Sequence, residues 1–110
     1  FQGQIQVARE AQKTDAQMAC NSLLLSDDGE FDAKPELEIF ADDVVCAHGA
    51  TVDDLDPVHL FYLAARGVPE KIARALLVKG FVEELLDELD DEALVEALKE
   101  RVENWLDAHV

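Results

Sequence analysis

The sequence predicts an α+β chain with segregated elements, short strands first and about three helices after them. Three observations carry this. Apolar residues alternate with period two as far as about residue 53. Beyond that point they recur at helical spacing. Turn-forming clusters cut the first half at even intervals, and helix start and stop signals punctuate the second. The chain therefore divides into a strand region, 1–53, and a helical region, 54–110.

In the first half, Ile5 and Val7 face away from Gln4 and Gln6, and Leu37 and Ile39 alternate with Glu36 and Glu38. "NSLLLS", residues 21 to 26, is a short apolar run that suits a strand. "ELEIFADDVVCAHGATV", residues 36 to 52, reads as strand, tight turn, strand. Val44, Cys46, His48, Ala50 and Val52 share one face of its second strand, and Val45, Ala47, Gly49 and Thr51 the other. The separators "KTD", "SDDGE" and "ADD" are turn formers. No Asn-Gly or Asp-Gly pair joins two clear alternating runs; Asp28-Gly29 comes nearest, with Pro35 close behind. Short, evenly spaced strands fit a solenoid, a barrel or a sandwich, and a parallel β-helix is among the options.

In the second half, Asp56 is placed to cap a helix whose first position is Pro57, since Pro lacks only an N–H that would be orphaned there. Leu60, Phe61, Leu63 and Ala64 form its apolar side, and Gly67 is a left-handed stop. A second helix opens at Pro69 or Glu70, with a stripe of Ile72, Leu76, Leu77, Phe81, Leu85 and Leu89 that Gly80 interrupts. A third starts at Asp90 or Asp91 and carries Leu94, Leu98, Val102, Trp105 and Leu106.

Composition narrows the function. The chain has 110 residues, enough for one modest core, and a net charge of −16. Such a chain repels phosphate backbones, which argues against nucleic acid as a partner. No apolar run approaches the roughly 20 residues that cross a bilayer, so no membrane association is expected. Cys20 and Cys46 are too few for a disulfide framework and read as reduced thiols of a cytoplasmic protein. The opening Phe1-Gln2-Gly3 is native strand or a protease-site remnant. With no initiator Met, the chain reads as part of a longer protein.

Chemical candidates are few. Cys46 and His48, two apart on one strand face, can address one point, but metal sites usually take three or four ligands. A packed strand face with a hydrogen-bonded His48 is the competing reading. The acidic run 27–38 fails as a calcium loop, because its third, fifth and sixth positions are Gly29, Phe31 and Asp32. His59 and His109 have no evident partners. There is no phosphate-binding Gly-rich loop, no nucleophile elbow, and no carboxylate pair that stands out for a glycosidase.

Taken together, "AQKTDAQM", "LLLSDDGEFDAKPELEIFADDVVCAHGATV" and "LDPVHLFYLAARGVPEKIARALLVKGF" resemble the C-terminal part of the SufB/SufD family, scaffold subunits of the SUF iron–sulfur cluster assembly system. The resemblance spans roughly residues 1 to 82, and the form Cys46-Ala47-His48-Gly49-Ala50-Thr51 is closer to the SufD branch. Departures are Cys20-Asn21-Ser22 in place of an Asn-rich run, Phe40 for Tyr, Ala47 for Ser and Val45 for Lys.

The resemblance implies that residues 1–53 are the end coils of a right-handed parallel β-helix and that 54–110 form a C-terminal helical region. It implies a non-catalytic scaffold pairing with SufB, with its helices docking the SufC ATPase through a region including Phe61, Tyr62, Arg66, Ile72 and Leu76. No cofactor is held permanently; a transient iron–sulfur cluster forms at the SufB interface, where His48 is the metal-directed residue and Cys46 the alternative. Incomplete solenoid edges lead to the expectation that the fragment self-associates. The alternatives are a β-helix carbohydrate-active enzyme and an interaction module without a metal role.

Overall fold

The computed structural model describes all 110 residues. They form two compact units, Phe1–Asp54 and Leu55–Val110. The first contains β1 (Gln2–Val7), β2 (Asp15–Leu24), β3 (Lys34–Ile39) and β4 (Val45–Asp54). The second contains α1 (Pro57–Ala64), α2 (Glu70–Leu86) and α3 (Glu92–His109).

Strands that follow one another in sequence never pair. β1 lies parallel to β3, from Gln2 beside Lys34 to Val7 beside Ile39. β2 lies parallel to β4, from Asp15 beside Val45 to Leu24 beside Asp54. The chain thus returns alongside itself after 32 residues in one sheet and 30 in the other. This accounts for the missing hairpin signals, because parallel neighbours need a crossover of a dozen or more residues. Residues 36–52 do run strand, turn, strand, and the two strands, β3 and β4, belong to different two-stranded sheets.

β2 is longer than the run at 21–26 suggests, starting at Asp15. Ala16, Met18, Cys20 and Ser22 are half-buried and alternate with exposed Asp15, Gln17, Ala19 and Asn21. The inner residues are small or sulfur-bearing, so the period is present but weakly apolar. Val7 and Ala41 are the buried hydrophobics of this unit. Gly3 lets Met18 in: a Cβ there would lie 2.6 Å from the Met18 sulfur.

A corner between β1 and β2 fixes the start of β4. Lys13 has a positive φ of 64° and donates its backbone N–H to the Asp43 carbonyl at 2.6 Å. The Lys13 Nζ meets Asp43 Oδ2 at 3.0 Å. The Asp43 backbone N–H donates to Gln12 Oε1 at 2.9 Å, and Val45 N–H to the Thr14 carbonyl at 2.9 Å. Thr14 Oγ1 in turn donates to the Ala11 carbonyl.

The helices begin where their capping residues stand. Asp56 accepts from Val58 N–H at 2.8 Å, and Pro57 is the first helical residue. After α1, Gly67 takes φ +80°, while Gly67 and Val68 N–H donate to the Ala64 and Leu63 carbonyls. That pair of bonds is a Schellman-type stop. α2 runs through Gly80 without a break, and a Cβ there would meet nothing within 4 Å. Asp91 caps α3, accepting from Leu94 N–H at 3.0 Å.

The apolar stripe expected on α2 is rotated. Its buried residues are Ala73, Val78 and Leu86, whereas Ile72, Leu76 and Leu85 are at least half exposed. α2 packs against both α1 and α3, so small Ala73 and branched Val78 take the close contacts. On α3, Leu106 is buried and Leu98 and Val102 half-buried, but Leu94 and Trp105 turn outward. Lys79 of α2 bonds Glu103 of α3 and lies 3.9 Å from Glu83. No helix is long and apolar enough to cross a membrane.

Candidate functional site

β4 presents Cys46 and His48 on the same face, and the parallel register names their neighbours. Cys46 sits beside Ala16, His48 beside Met18, and Ala50 beside Cys20. Exposure rises along the strand. Val44, just before it, and Cys46 are half-buried, while His48, Ala50 and Val52 are exposed. Both cysteines are free thiols.

The His48 side chain forms no hydrogen bond and no ion pair. In a closed core that would leave polar nitrogens stranded, at about 1–3 kcal/mol each. At an exposed position water satisfies them, and the imidazole is accessible. On the opposite face, Thr51 Oγ1 donates to Asn21 Oδ1 at 2.9 Å and ties β4 to β2 near the same level.

The donor set in this chain is incomplete for a four-coordinate metal or a cluster. No group of three or more His, Cys, Asp or Glu side chains converges anywhere in the chain. Of the acidic run 27–38, residues 34–38 belong to β3 and the rest precede it. His59 Nδ1 lies 3.8 Å from Asp56 Oδ2 at the cap of α1. His109 stacks on Trp105 with ring centroids 4.8 Å apart, its Nδ1 2.8 Å from the Trp105 carbonyl.

The helical candidates fall into two groups. Phe61 is 73% exposed, and Tyr62 is more than half exposed. Arg66 lies over the Tyr62 ring, with its Cζ 3.4 Å from the centroid, and donates from Nη1 to the Tyr62 carbonyl at 3.1 Å. This stacking holds the guanidinium on α1. Ile72 and Leu76 instead line a groove of about 410 Å³ between α2 and α3, whose floor includes Leu106. Phe61, Tyr62 and Arg66 do not line that groove.

Sequence reasoning missed the positioning role of Gln12, Lys13 and Thr14. Their turn-forming character was legible, but not that they hold the entry of β4 from 30 residues away.

The family described as "SUF system FeS cluster assembly, SufBD core domain" matches residues 1–81, the whole strand unit together with α1 and most of α2. The chain belongs to the SufBD family. It is similar to the iron–sulfur cluster assembly protein SufD of Escherichia coli, 45% identical over 102 residues. That alignment covers 93% of this chain and 24% of the relative. SufD of Bacillus subtilis is 35% identical over 103 residues, covering 94% and 24%. The chloroplastic protein ABCI7 of Arabidopsis thaliana is 37% identical over 106 residues, covering 96% and 22%. The chain thus spans about a quarter of the length of these relatives. SufBD proteins are components of SUF iron–sulfur cluster assembly, which leaves the carbohydrate-enzyme alternative without support. Cys46, His48, the β4 corner and the α1 surface all lie inside the matched SufBD residues.

Proposed function

We propose that this SufBD chain forms the end coils of a SufD-type right-handed parallel β-helix and its helical C-terminal region. In this reading it is a non-catalytic scaffold of the cytoplasm. It supports iron–sulfur cluster assembly where its last strand meets SufB, and docks the SufC ATPase through its helices. The observation that carries the proposal is the parallel pairing of each strand with the second one after it, within residues that match the SufBD core. Repeated, that path is a solenoid.

The scaffold reading also fits the chemistry. The cluster is cargo, and one exposed His beside one free thiol is an incomplete ligand set that a partner subunit would complete. Imidazole and thiolate both suit iron. Exposed Phe61 and Tyr62, with Arg66 fixed across the ring, have the composition of an interaction patch. Ile72 and Leu76 supply a second apolar surface in the α2–α3 groove.

The test is capture of SufB and SufC by the full-length protein, with and without ATP, compared after removal of residues 54–110. The expected result is loss of SufC and retention of SufB. Undiminished SufC binding overturns the docking assignment. In the isolated chain, unpaired strand edges favour self-association, which screening of the −16 charge should strengthen. A clean monomer by sedimentation at high salt counts against that part.

A further inference from the structure

Burial does little to set the register of β4. A slip of one residue moves every side chain of a strand to the opposite face, and a buried face is what normally forbids it. Here only Cys46 of Val45–Asp54 is half-buried, and the rest of the strand is exposed. Val45, 65% exposed, would gain cover in a slipped strand by taking the half-buried place of Val44 or Cys46. Gly49 has no side chain to pack, and a Cβ there would meet nothing within 4 Å.

Polar contacts supply what burial does not. At the entry, Gln12 Oε1 accepts from Asp43 N–H at 2.9 Å, while Gln12 Nε2 donates to the Arg9 carbonyl at 2.9 Å. At the far end, Thr51 stands directly beside Asn21 and donates from Oγ1 to Asn21 Oδ1 at 2.9 Å. Thr51 is the only hydroxyl residue on β4. A slip of one residue brings Ala50 or Val52 beside Asn21, and neither side chain can donate. The bond to Asn21 therefore forms in the observed register and is lost in both adjacent ones.

We propose that Asn21 and Thr51 are positioning residues that lock the register of β4, with Gln12 at the other end of the clamp, and so keep His48 on the face it occupies. This inference rests on the reading that the His48 face belongs to the assembly surface. His48 lies three residues before Thr51, about 10 Å at 3.3 Å per residue, and five after Asp43. It sits between the two ends of the clamp and has no side-chain bond of its own to fix it. A slip would set Ala47 or Gly49 beside Met18 and turn the imidazole to the opposite face. The same slip carries the free Cys46 thiol out of its half-buried position.

The test uses the full-length protein without partners. Labelling of Cys46 and Cys20 by a thiol reagent, resolved by peptide mass spectrometry, follows the register, and the melting temperature follows the fold. Thr51→Val keeps the branched Cβ and removes only the hydroxyl. It should speed Cys46 labelling several-fold, since the net worth of one hydrogen bond shifts an equilibrium by about 2–10-fold. Cys20, on β2, should label as before, and the melting temperature should barely move. Adding Gln12→Ala should speed Cys46 labelling further. Thr51→Ser retains the donor and should label like the unsubstituted protein. The exchanged pair, Asn21→Thr with Thr51→Asn, restores a bond across the strands and should restore the rate. Asn21→Ala removes the acceptor and should act like Thr51→Val, so loss of fold in one of them leaves the other as the test. Unchanged Cys46 labelling in the Gln12→Ala, Thr51→Val double variant overturns the proposal. So does Cys20 labelling that rises in step with Cys46, which marks general opening, or an exchanged pair that labels like Thr51→Val. Cluster yield on the assembled complex is the second arm: Thr51→Val should lower it and the exchanged pair should recover it. Labelling that responds while yield does not overturns the assignment of His48 to the assembly surface and leaves the lock standing. Unchanged labelling removes the lock and leaves the scaffold reading standing.

Discussion

His48→Ala should change what the SufBD scaffold does without changing how it stands. The side chain is exposed and makes no hydrogen bond or ion pair. Exposed substitutions away from special features usually stay within about 0.5 kcal/mol. At no more than about 2–4 °C per kcal/mol for a protein well above 150 residues, the melting temperature of the full-length protein should move by less than about 2 °C. Val7→Ala is the matched control in the same unit. Val7 is 3% exposed, and two buried carbons at about 0.8 kcal/mol each give about 1.6 kcal/mol before any cavity cost. That corresponds to a fall of roughly 3–6 °C by the same conversion. The assay pairs thermal unfolding of the full-length protein with cluster yield on its assembled complex. His48→Ala should lose yield at nearly unchanged melting temperature, and Val7→Ala should lose melting temperature first. If His48→Ala lowers both together, the imidazole is structural and its assignment to the assembly surface is wrong.

Three further outcomes follow from the geometry. Lys79 holds the Glu103 carboxyl below its ordinary value of 4.5, chiefly by hydrogen bonding and then by charge. A depressed carboxylate stabilises above its unfolded value and loses that contribution as pH falls through the folded one. Helicity of the α2–α3 pair should therefore weaken below pH 4.5, and Glu103→Gln should flatten that acid limb in circular dichroism. Asp91→Ala removes the side chain that caps α3 and should cost about 1 kcal/mol, read as a lower unfolding midpoint in urea. Lys13→Val should cost more than about 1 kcal/mol, because a β-branched residue resists positive φ, whereas Lys13→Gly should lose much less; equal effects would refute strain at that corner.

What the sequence made legible follows the range of the forces involved. Asp56, Pro57, Gly67 and Asp91 act within a few residues, and the helix ends fall where those residues stand. The alternation at Ile5 and Val7 is equally local. Strand partners are not. Nothing in "VVCAHGATV" indicates pairing with residues 30 positions earlier rather than with β3 just before it. The α2 stripe was misplaced for a similar reason. Ile72, Leu76 and Leu85 are the larger side chains, but the approach of α1 and α3 selects Ala73, Val78 and Leu86. At the site, the shared face of Cys46 and His48 is plain from period two. Their exposure, and the presence of Met18 beside them, required the register.

The exposure along β4 is itself an argument about function. A strand whose role is to complete a core shows alternation to its end, as β2 nearly does. β4 shows it only as far as Cys46, then exposes both faces from Ala47 to Asp54. Within this chain it pairs along one edge alone, with β2. Val45, at 65% exposure, and Val52 are apolar side chains left to water on such a strand. Edge strands usually blunt this hazard with charge, and β4 confines its acids to Asp53 and Asp54 at the very end, leaving 45–52 without an acid, a lysine or an arginine. A strand with a free edge, two open faces and no charge barrier is arranged to be covered. Within 45–52, the only exposed side chain with nitrogen or sulfur ligand chemistry is the imidazole that the scaffold reading assigns to the assembly surface.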